Sequence, residues 1–295
     1  MNKGLRIKKI YLVLVLLFLV GTAMKSDKQA YLIFDQKGKA SDYSEMLKQA
    51  LDADIVFFGE LHNSPICHWL ELELTKDLYA EKKDKLIMGA EMFESDDQLI
   101  INEYLAGKMK EKTFEAEAKL WDNYKTDYKP LVNFALENKL PFIATNVPRR
   151  YAALVNKSGF EGLDSLSAEA KSLLPPLPVA YDPELPGYKS MIEMMGGAGD
   201  HVTPNIPKAQ AIKDATMAYF ILKNLREGSS FIHYNGTYHT NNFEGIIWYI
   251  KQARPDLKLM TIASVEQDTV SELSEENLNL ADFTLCIPSS MSKTY

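Results

Sequence analysis

The sequence predicts an α/β protein with a mostly parallel central sheet, helices on both faces and an inserted helical lobe. Short apolar runs of strand length recur along the chain, and stretches with helix-compatible spacing separate them. One section, about residues 161–205, breaks the alternation. Strands separated by helices imply parallel pairing, because a parallel crossover needs a connection of a dozen or more residues.

Residues 1–23 read as a signal peptide and are set apart from the fold. Lys3, Arg6, Lys8 and Lys9 form a basic start, Ile10 to Val20 is an apolar stretch of h-region length, and Gly21-Thr22-Ala23 offers small residues for cleavage. That run is shorter than the ~20 residues a membrane span needs. Export with cleavage near Ala23 is therefore expected, with an uncleaved N-terminal anchor as the alternative. No cysteine lies near the cut to carry a lipid, which favours a soluble periplasmic form.

Residues 24–295 read as a single α/β domain. Ile55-Val56-Phe57-Phe58 has the continuous apolar pattern of a buried strand, and His68 to Tyr79 spreads Leu70, Leu72, Leu74 and Leu78 as a helix would. Leu86 to Ala90 is the next strand. Helices are expected over Asp97–Ala106 and Pro130–Asn138, where proline suits a first turn, before the strand Phe142-Ile143-Ala144. A further helix starts near Pro148. Pro207–Leu225 reads as a helix, Phe231–Tyr234 as a strand, Phe243–Gln252 as a helix, and Lys258–Ala263 and Phe283–Ile287 as the closing strands. The section from Glu161 to Asn205 holds Pro175, Pro176, Pro178, Pro183 and Pro186, then Met191-Ile192-Glu193-Met194-Met195 and Gly196-Gly197-Ala198-Gly199. It reads as a helical lobe or lid over the strand rim, or as a long surface excursion.

The formal charge of −7 argues against a nucleic-acid or anionic-membrane binder, which needs a basic surface to displace counterions. Two cysteines, Cys67 and Cys286, do not make a disulfide scaffold, and they lack the C-x-x-C spacing of a zinc or redox motif. They are either an oxidised pair or buried thiols. No G-x-x-x-x-G-K-[ST] loop, G-x-G-x-x-G turn or G-x-S-x-G elbow is present, so nucleotide and serine-hydrolase readings lose their usual support.

Glu60, His62, Glu91, Asn146 and His239 each fall just after an apolar run. In an open α/β sheet the carboxyl ends of the strands share one rim, so these residues are expected to converge there. Two carboxylates and two imidazoles can hold a divalent metal, or act as acid and base around a substrate. Glu60, His62, Glu91 and His239 are therefore both the catalytic and the metal-ligand candidates, against the plainer reading that they brace loops. Arg149 and Arg150, after Asn146, can clamp a carboxylate or phosphate or cap a neighbouring element.

The same residues carry a resemblance. Phe58-Gly59-Glu60-Leu61-His62, Gly89-Ala90-Glu91-Met92-Phe93, Trp121-Asp122-Asn123-Tyr124 with Tyr128-Lys129-Pro130, Asn146-Val147-Pro148-Arg149, Gln210 with Asp214 and Met217-Ala218, and Gly236-Thr237-Tyr238-His239 occur in that order. Over about Asp54 to Ser264 the chain resembles the ChaN family of haem-binding uptake proteins, within the Tiki and erythromycin-esterase-like superfamily. The resemblance implies an exported α/β protein with a helical lobe, acting in haem or iron acquisition. Family members are often lipoproteins, and the missing lipobox cysteine departs from that pattern.

Haem needs an apolar slot, an axial His, Tyr or Met, and cations near its propionates. The resemblance thus makes Tyr188, His201 and Met194, with Asn146 and Arg149, the cofactor-binding candidates. Tyr181, Met191 and Met195 are further axial candidates, while Tyr188 and His201 lead because phenolate and imidazole suit ferric iron better than thioether. Haem would lie between the core and the lobe. The expected partners are haem itself, a second copy sandwiching two flat haems, and an outer-membrane haem transport system. The alternative function is a metal-dependent peptidase or esterase using Glu60, His62, Glu91 and His239.

Overall fold

A computed structural model describes residues 28–195 and 203–295. The expected signal peptide, Gly196 to Gly199 and His201 lie outside the described residues, as does the side chain of Met194. The strands are β1 (Leu32–Asp35), β2 (Ala40–Ser41), β3 (Ile55–Glu60), β4 (Leu86–Glu94), β5 (Phe142–Asn146), β6 (Ser230–Gly236), β7 (Leu259–Gln267) and β8 (Phe283–Pro288). They form one sheet in the order β2-β1-β8-β7-β3-β6-β4-β5. Every pairing from β8 to β5 is parallel, and β1 joins both β2 and β8 antiparallel.

Alternation along the strands puts helices on both faces. Val56 and Phe58 of β3 join one core with Met88 of β4 and Ile232 of β6, while Ile55, Phe57, Ile87 and Phe231 point the other way. The first face is covered by α1 (Tyr43–Asp52), α2 (Pro65–Lys82), α3 (Gln98–Leu105), α4 (Glu111–Glu117) and α5 (Lys129–Asn138). The second is covered by α9 (Ile206–Asn224) and α10 (Ile246–Ala253). Burying a side chain such as Phe57 or Phe58 contributes about 1.5–3 kcal/mol, so a strand apolar on both sides commits itself to this layer.

Several elements differ from the sequence reading. The β1–β2 hairpin and α1 were not expected, since a strand of four residues and one of two carry little periodicity. Asp42 caps α1, its carboxylate accepting from the Glu45 backbone N–H at 2.9 Å. The helix expected from Phe243 starts at Ile246, because Asn242 and Phe243 both take φ of 59° and cannot continue a helix. Cys67 and Cys286 are buried free thiols.

Within 161–205, helical structure is confined to a short turn at Phe160–Leu163, α7 (Ala168–Lys171) and α8 (Pro186–Met195) among the described residues. Leu163 and Leu174 pack on Tyr151 and Val155 of α6 (Arg149–Ser158) and on Ile212 of α9. At the β5 edge of the sheet, the Gln98 side chain stands in for a neighbouring strand. Its Nε2 donates to the Phe142 carbonyl at 3.0 Å and its Oε1 accepts from the Ala144 N–H at 2.8 Å.

Parallel pairing brings the carboxyl ends of β3, β4, β5 and β6 to one rim, with Glu60 opposite Gly236. A shift of register in β4 between Ala90 and Glu94 frees Glu91 from the ladder, as bulges beside functional sites do. Gly59 is required where β3 meets β7. A Cβ there would stand 2.7 Å from the Ile262 carbonyl oxygen and 2.9 Å from Thr237 Cα, both backbone atoms. Gly59→Ala is expected to cost about 1–3 kcal/mol in urea unfolding, the usual range for overpacking; unchanged stability would show that the rim backbone yields freely.

Candidate functional site

Two linked clusters occupy the rim. In the first, His239, from the turn after β6, is buried between two acids. Its Nε2 donates to Glu91 Oε1 at 3.0 Å and its Nδ1 to Asp214 Oδ1 of α9 at 2.5 Å. Glu91 Oε2 also accepts the Gly236 N–H at 2.7 Å, and Asp214 Oδ2 accepts the Tyr188 hydroxyl at 2.8 Å. Burial disfavours the imidazolium, but the Glu91 and Asp214 charges outweigh it and raise the His239 pKa to about 10. Burial likewise opposes ionisation of Glu91, and the charge of His239 reverses this, holding its carboxyl far below the usual range. Asp214 goes the other way: burial raises it against the pull of His239, with the nearby Glu91 charge adding to the rise.

The second cluster centres on Glu60, fully buried at the end of β3. Its Oε1 accepts from His62 Nδ1 at 2.7 Å and from the Tyr128 hydroxyl at 2.7 Å. Tyr128 ends a single π-turn, Tyr124–Tyr128, a feature frequent at functional sites. The turn also carries Asp127, whose Oδ2 accepts from Asn123 Nδ2 and Thr294 Oγ1. Behind Glu60, His68 and Glu71 of α2 are buried too. Burial works against protonation of His62, yet its hydrogen bond to Glu60 and the Glu91 and Glu60 charges prevail and raise its pKa.

Gly236 joins the clusters. A Cβ on it would stand 2.7 Å from His62 Nε2 and 3.4 Å from Glu91 Oε2, so the bare Cα lets His62 approach the Glu91 carboxylate. Glu60, His62, Glu91 and His239 therefore converge as the strand ends predicted. They do not fit a shared metal ion. Both nitrogens of His239 are committed to carboxylates and both Glu91 oxygens accept hydrogen bonds, so of the two histidines in that quartet only His62, through Nε2, keeps a nitrogen open.

The cofactor candidates fall in different places. Tyr188 is buried with its hydroxyl on Asp214, inside the hydrogen-bond network and not on an open surface. Asn146 braces the rim, donating to the Glu91 carbonyl at 3.0 Å and accepting the Val147 N–H. Arg149 is exposed, and with Trp121, Asn123 and Tyr295 it lines a groove of about 630 Å³. His62 adjoins that groove, its ring 4.9 Å from the Trp121 ring and its side chain 35% exposed. On the lobe side, Tyr188, Gln210, Asp214 and Tyr238 line a smaller cavity of about 230 Å³, below the roughly 300 Å³ of typical ligand pockets.

A haem fits the chemistry of the larger groove: an indole face, a phenol or imidazole donor, and a guanidinium for a propionate. His68 and Glu71 escaped the sequence reading because they lie inside a Leu-rich helix. The available signal was their spacing with Thr75, which puts three polar residues on the buried face of α2.

The sign of the His239 shift sets a pH window. Folded, His239 holds its proton to about pH 10, whereas its ordinary value is 6.5. The stabilisation it supplies is full below pH 6.5 and is lost as pH rises to about 10. His239→Gln, which strands two buried carboxylates, is expected to cost about 3–5 kcal/mol near pH 6 in urea unfolding. The gap from wild type should shrink toward pH 10, and a constant gap would rule out a charged His239.

Comparisons with known proteins agree with the fold. The fold is similar to that of ChaN of Campylobacter jejuni, in a structure of cofacial heme binding to that protein. The TM-score is 0.67 at 16% identity, over 88% of this chain and 98% of that one. It is also similar to the crystal structure of a succinoglycan biosynthesis protein, with a TM-score of 0.51 at 11% identity over 85% of this chain and 92% of that one. At these identities the likeness is one of fold. Protein RETICULATA-RELATED 5, chloroplastic, of Arabidopsis thaliana is 24% identical over 202 residues, 63% of this chain and 27% of that protein, so the chain spans about a quarter of that relative. The sequence profile for haem-binding uptake proteins of the Tiki superfamily, ChaN, matches residues 46–250, and the chain belongs to that family.

Proposed function

We propose that this protein is exported, binds haem in the groove walled by Trp121, Arg149 and Tyr295, and serves haem or iron acquisition. The observation that carries the reading is the groove itself. At about 630 Å³ it lies within the size range of ligand pockets and joins an aromatic wall to an exposed guanidinium beside a half-buried imidazole. Family membership supports haem as the ligand class. Arg149, with its side chain 82% exposed and its Nε 3.9 Å from Glu94, is free to turn toward a propionate. His62 and Tyr295 supply the two donor types that suit ferric iron. This assignment moves the haem away from the lobe-side cavity, which is smaller and lined by two carboxylates, Asp214 and Glu244, with no arginine, whereas the groove sets Arg149 beside its one carboxylate, Asp122. A second copy facing the same groove would close it over two flat haems, and an outer-membrane haem transport system is the partner class that export implies.

A second reading is hydrolysis at the rim, and the convergence of Glu60, His62, Glu91 and His239 favours it. Perturbed titratable groups gathered at strand ends are a mark of active sites. Here His62, with Nε2 open and Nδ1 held by Glu60, is the base candidate.

A hemin titration separates the two. Binding in the groove predicts a saturable Soret shift, weakened roughly three- to ten-fold by Arg149→Ala, the loss of a charged contact of about 1 kcal/mol. Tyr188→Phe should leave the spectrum unchanged. No shift in the wild-type chain would sink the haem reading, and turnover of an ester or peptide panel that His62→Gln abolishes would establish the other.

A further inference from the structure

Behind the rim, three buried side chains, Glu60, His68 and Glu71, lie together. Glu60 Oε2 and Glu71 Oε1 have no hydrogen-bond partner among the described residues. His68 Nδ1 lies 3.5 Å from the unpartnered Glu60 Oε2 and 3.2 Å from the other Glu71 oxygen, Oε2. The tautomer follows from the other ring nitrogen. His68 Nε2 lies 3.1 Å from the His62 carbonyl oxygen, which can only accept, so Nε2 carries the proton. With the ring neutral, the Nδ1 lone pair would face two carboxyl groups, so the arrangement calls for a positive centre there: a metal ion, or a second proton on the ring.

We propose that Glu60, His68 and Glu71 form a site for one divalent transition-metal ion of the Zn²⁺ or Mn²⁺ class. One donor atom from each residue lies within 4.8 Å of the others. Metal bonds of about 2.1 Å to nitrogen and oxygen at tetrahedral angles set ligand atoms about 3.4 Å apart, and the two distances from Nδ1 straddle that value. An imidazole that gives its second N–H to a carbonyl is the usual outer arrangement of a metal-bound histidine. Asp127 Oδ2, 3.4 Å from the same nitrogen, reinforces it. A dication also balances two buried carboxylates, which are costly to keep unpaired away from water.

The placement gives the ion a structural consequence. His68 and Glu71 lie one turn apart at the start of α2, and Glu60 ends β3, so the ion would clamp the helix to the strand end. It would take Glu60 through Oε2, leaving Oε1 to receive Tyr128 and His62. This site is separate from the haem groove and does not depend on it.

The competing arrangement has protons in place of a metal, either on Glu71, donating to Glu60, or on His68 Nδ1, donating to both carboxylates. The test uses the full chain, stripped with chelator and titrated with Zn²⁺ and then Mn²⁺ by calorimetry, with metal content and Tm measured on the same samples. One ion per chain and a Tm that rises on loading are expected. Glu71→Gln keeps a donor for Glu60 and should fold, but should weaken the ion at least ten-fold, while His62→Gln, which touches only the other oxygen of Glu60, should weaken it less than Glu71→Gln does. Absence of saturable binding would overturn the site in favour of the shared proton. Loss of binding in His62→Gln with Glu71→Gln unaffected would overturn it by moving the ion to the rim.

Discussion

The ion cluster of Glu91, His239 and Asp214 ties together a strand bulge, the turn after β6 and the long helix α9. Each member is buried, and none could remain charged there alone without a large desolvation penalty. Their mutual arrangement therefore constrains the backbone around them. Gly236 must give its N–H to Glu91, Asn146 must hold the Glu91 carbonyl, and Tyr188 must reach Asp214 from the lobe. The lobe is thus fastened to the core partly by a hydrogen bond to an ion cluster, in addition to the apolar packing of Leu163 and Leu174.

Much of this was legible in the sequence. Runs such as Ile55–Phe58 and Phe231–Tyr234 announce buried parallel strands, because a strand covered on both faces needs no polar alternation. Since parallel strands end on one side, the convergence of Glu60, His62, Glu91 and His239 followed from their positions alone. Less legible were the roles of the partners brought in by helices. Asp214, His68 and Glu71 reach the rim through the rotation and packing of α9 and α2, which depend on tertiary contacts. The edge hairpin β1–β2 was equally silent, since its strands are too short to show a period. Tyr188 illustrates a third kind of limit. Residue type marked it as a haem-ligand candidate, but its burial against Asp214 is set by where α8 docks.

The rim divides into a sealed half and an open half. His239 has both nitrogens engaged and is almost inaccessible, whereas His62 keeps one nitrogen free beside an exposed groove. Two histidines that look alike in the sequence thus have different physical roles. One holds the framework, and the other is presented to whatever enters. The π-turn that carries Tyr128 contributes to the open half, fixing Glu60 from one side while Asn123 holds the His62 carbonyl from the other.

The Gln98 side chain reaches past the sheet, with consequences for how the chain behaves among copies of itself. β5 is the last strand of the order, and an uncovered edge strand is a template for adding a foreign strand. The Gln98 amide occupies one donor and one acceptor of that edge, with the spacing a peptide group would have. A single side chain thereby acts as a stopper against intermolecular sheet growth, which matters most for a chain that meets other copies at high local concentration.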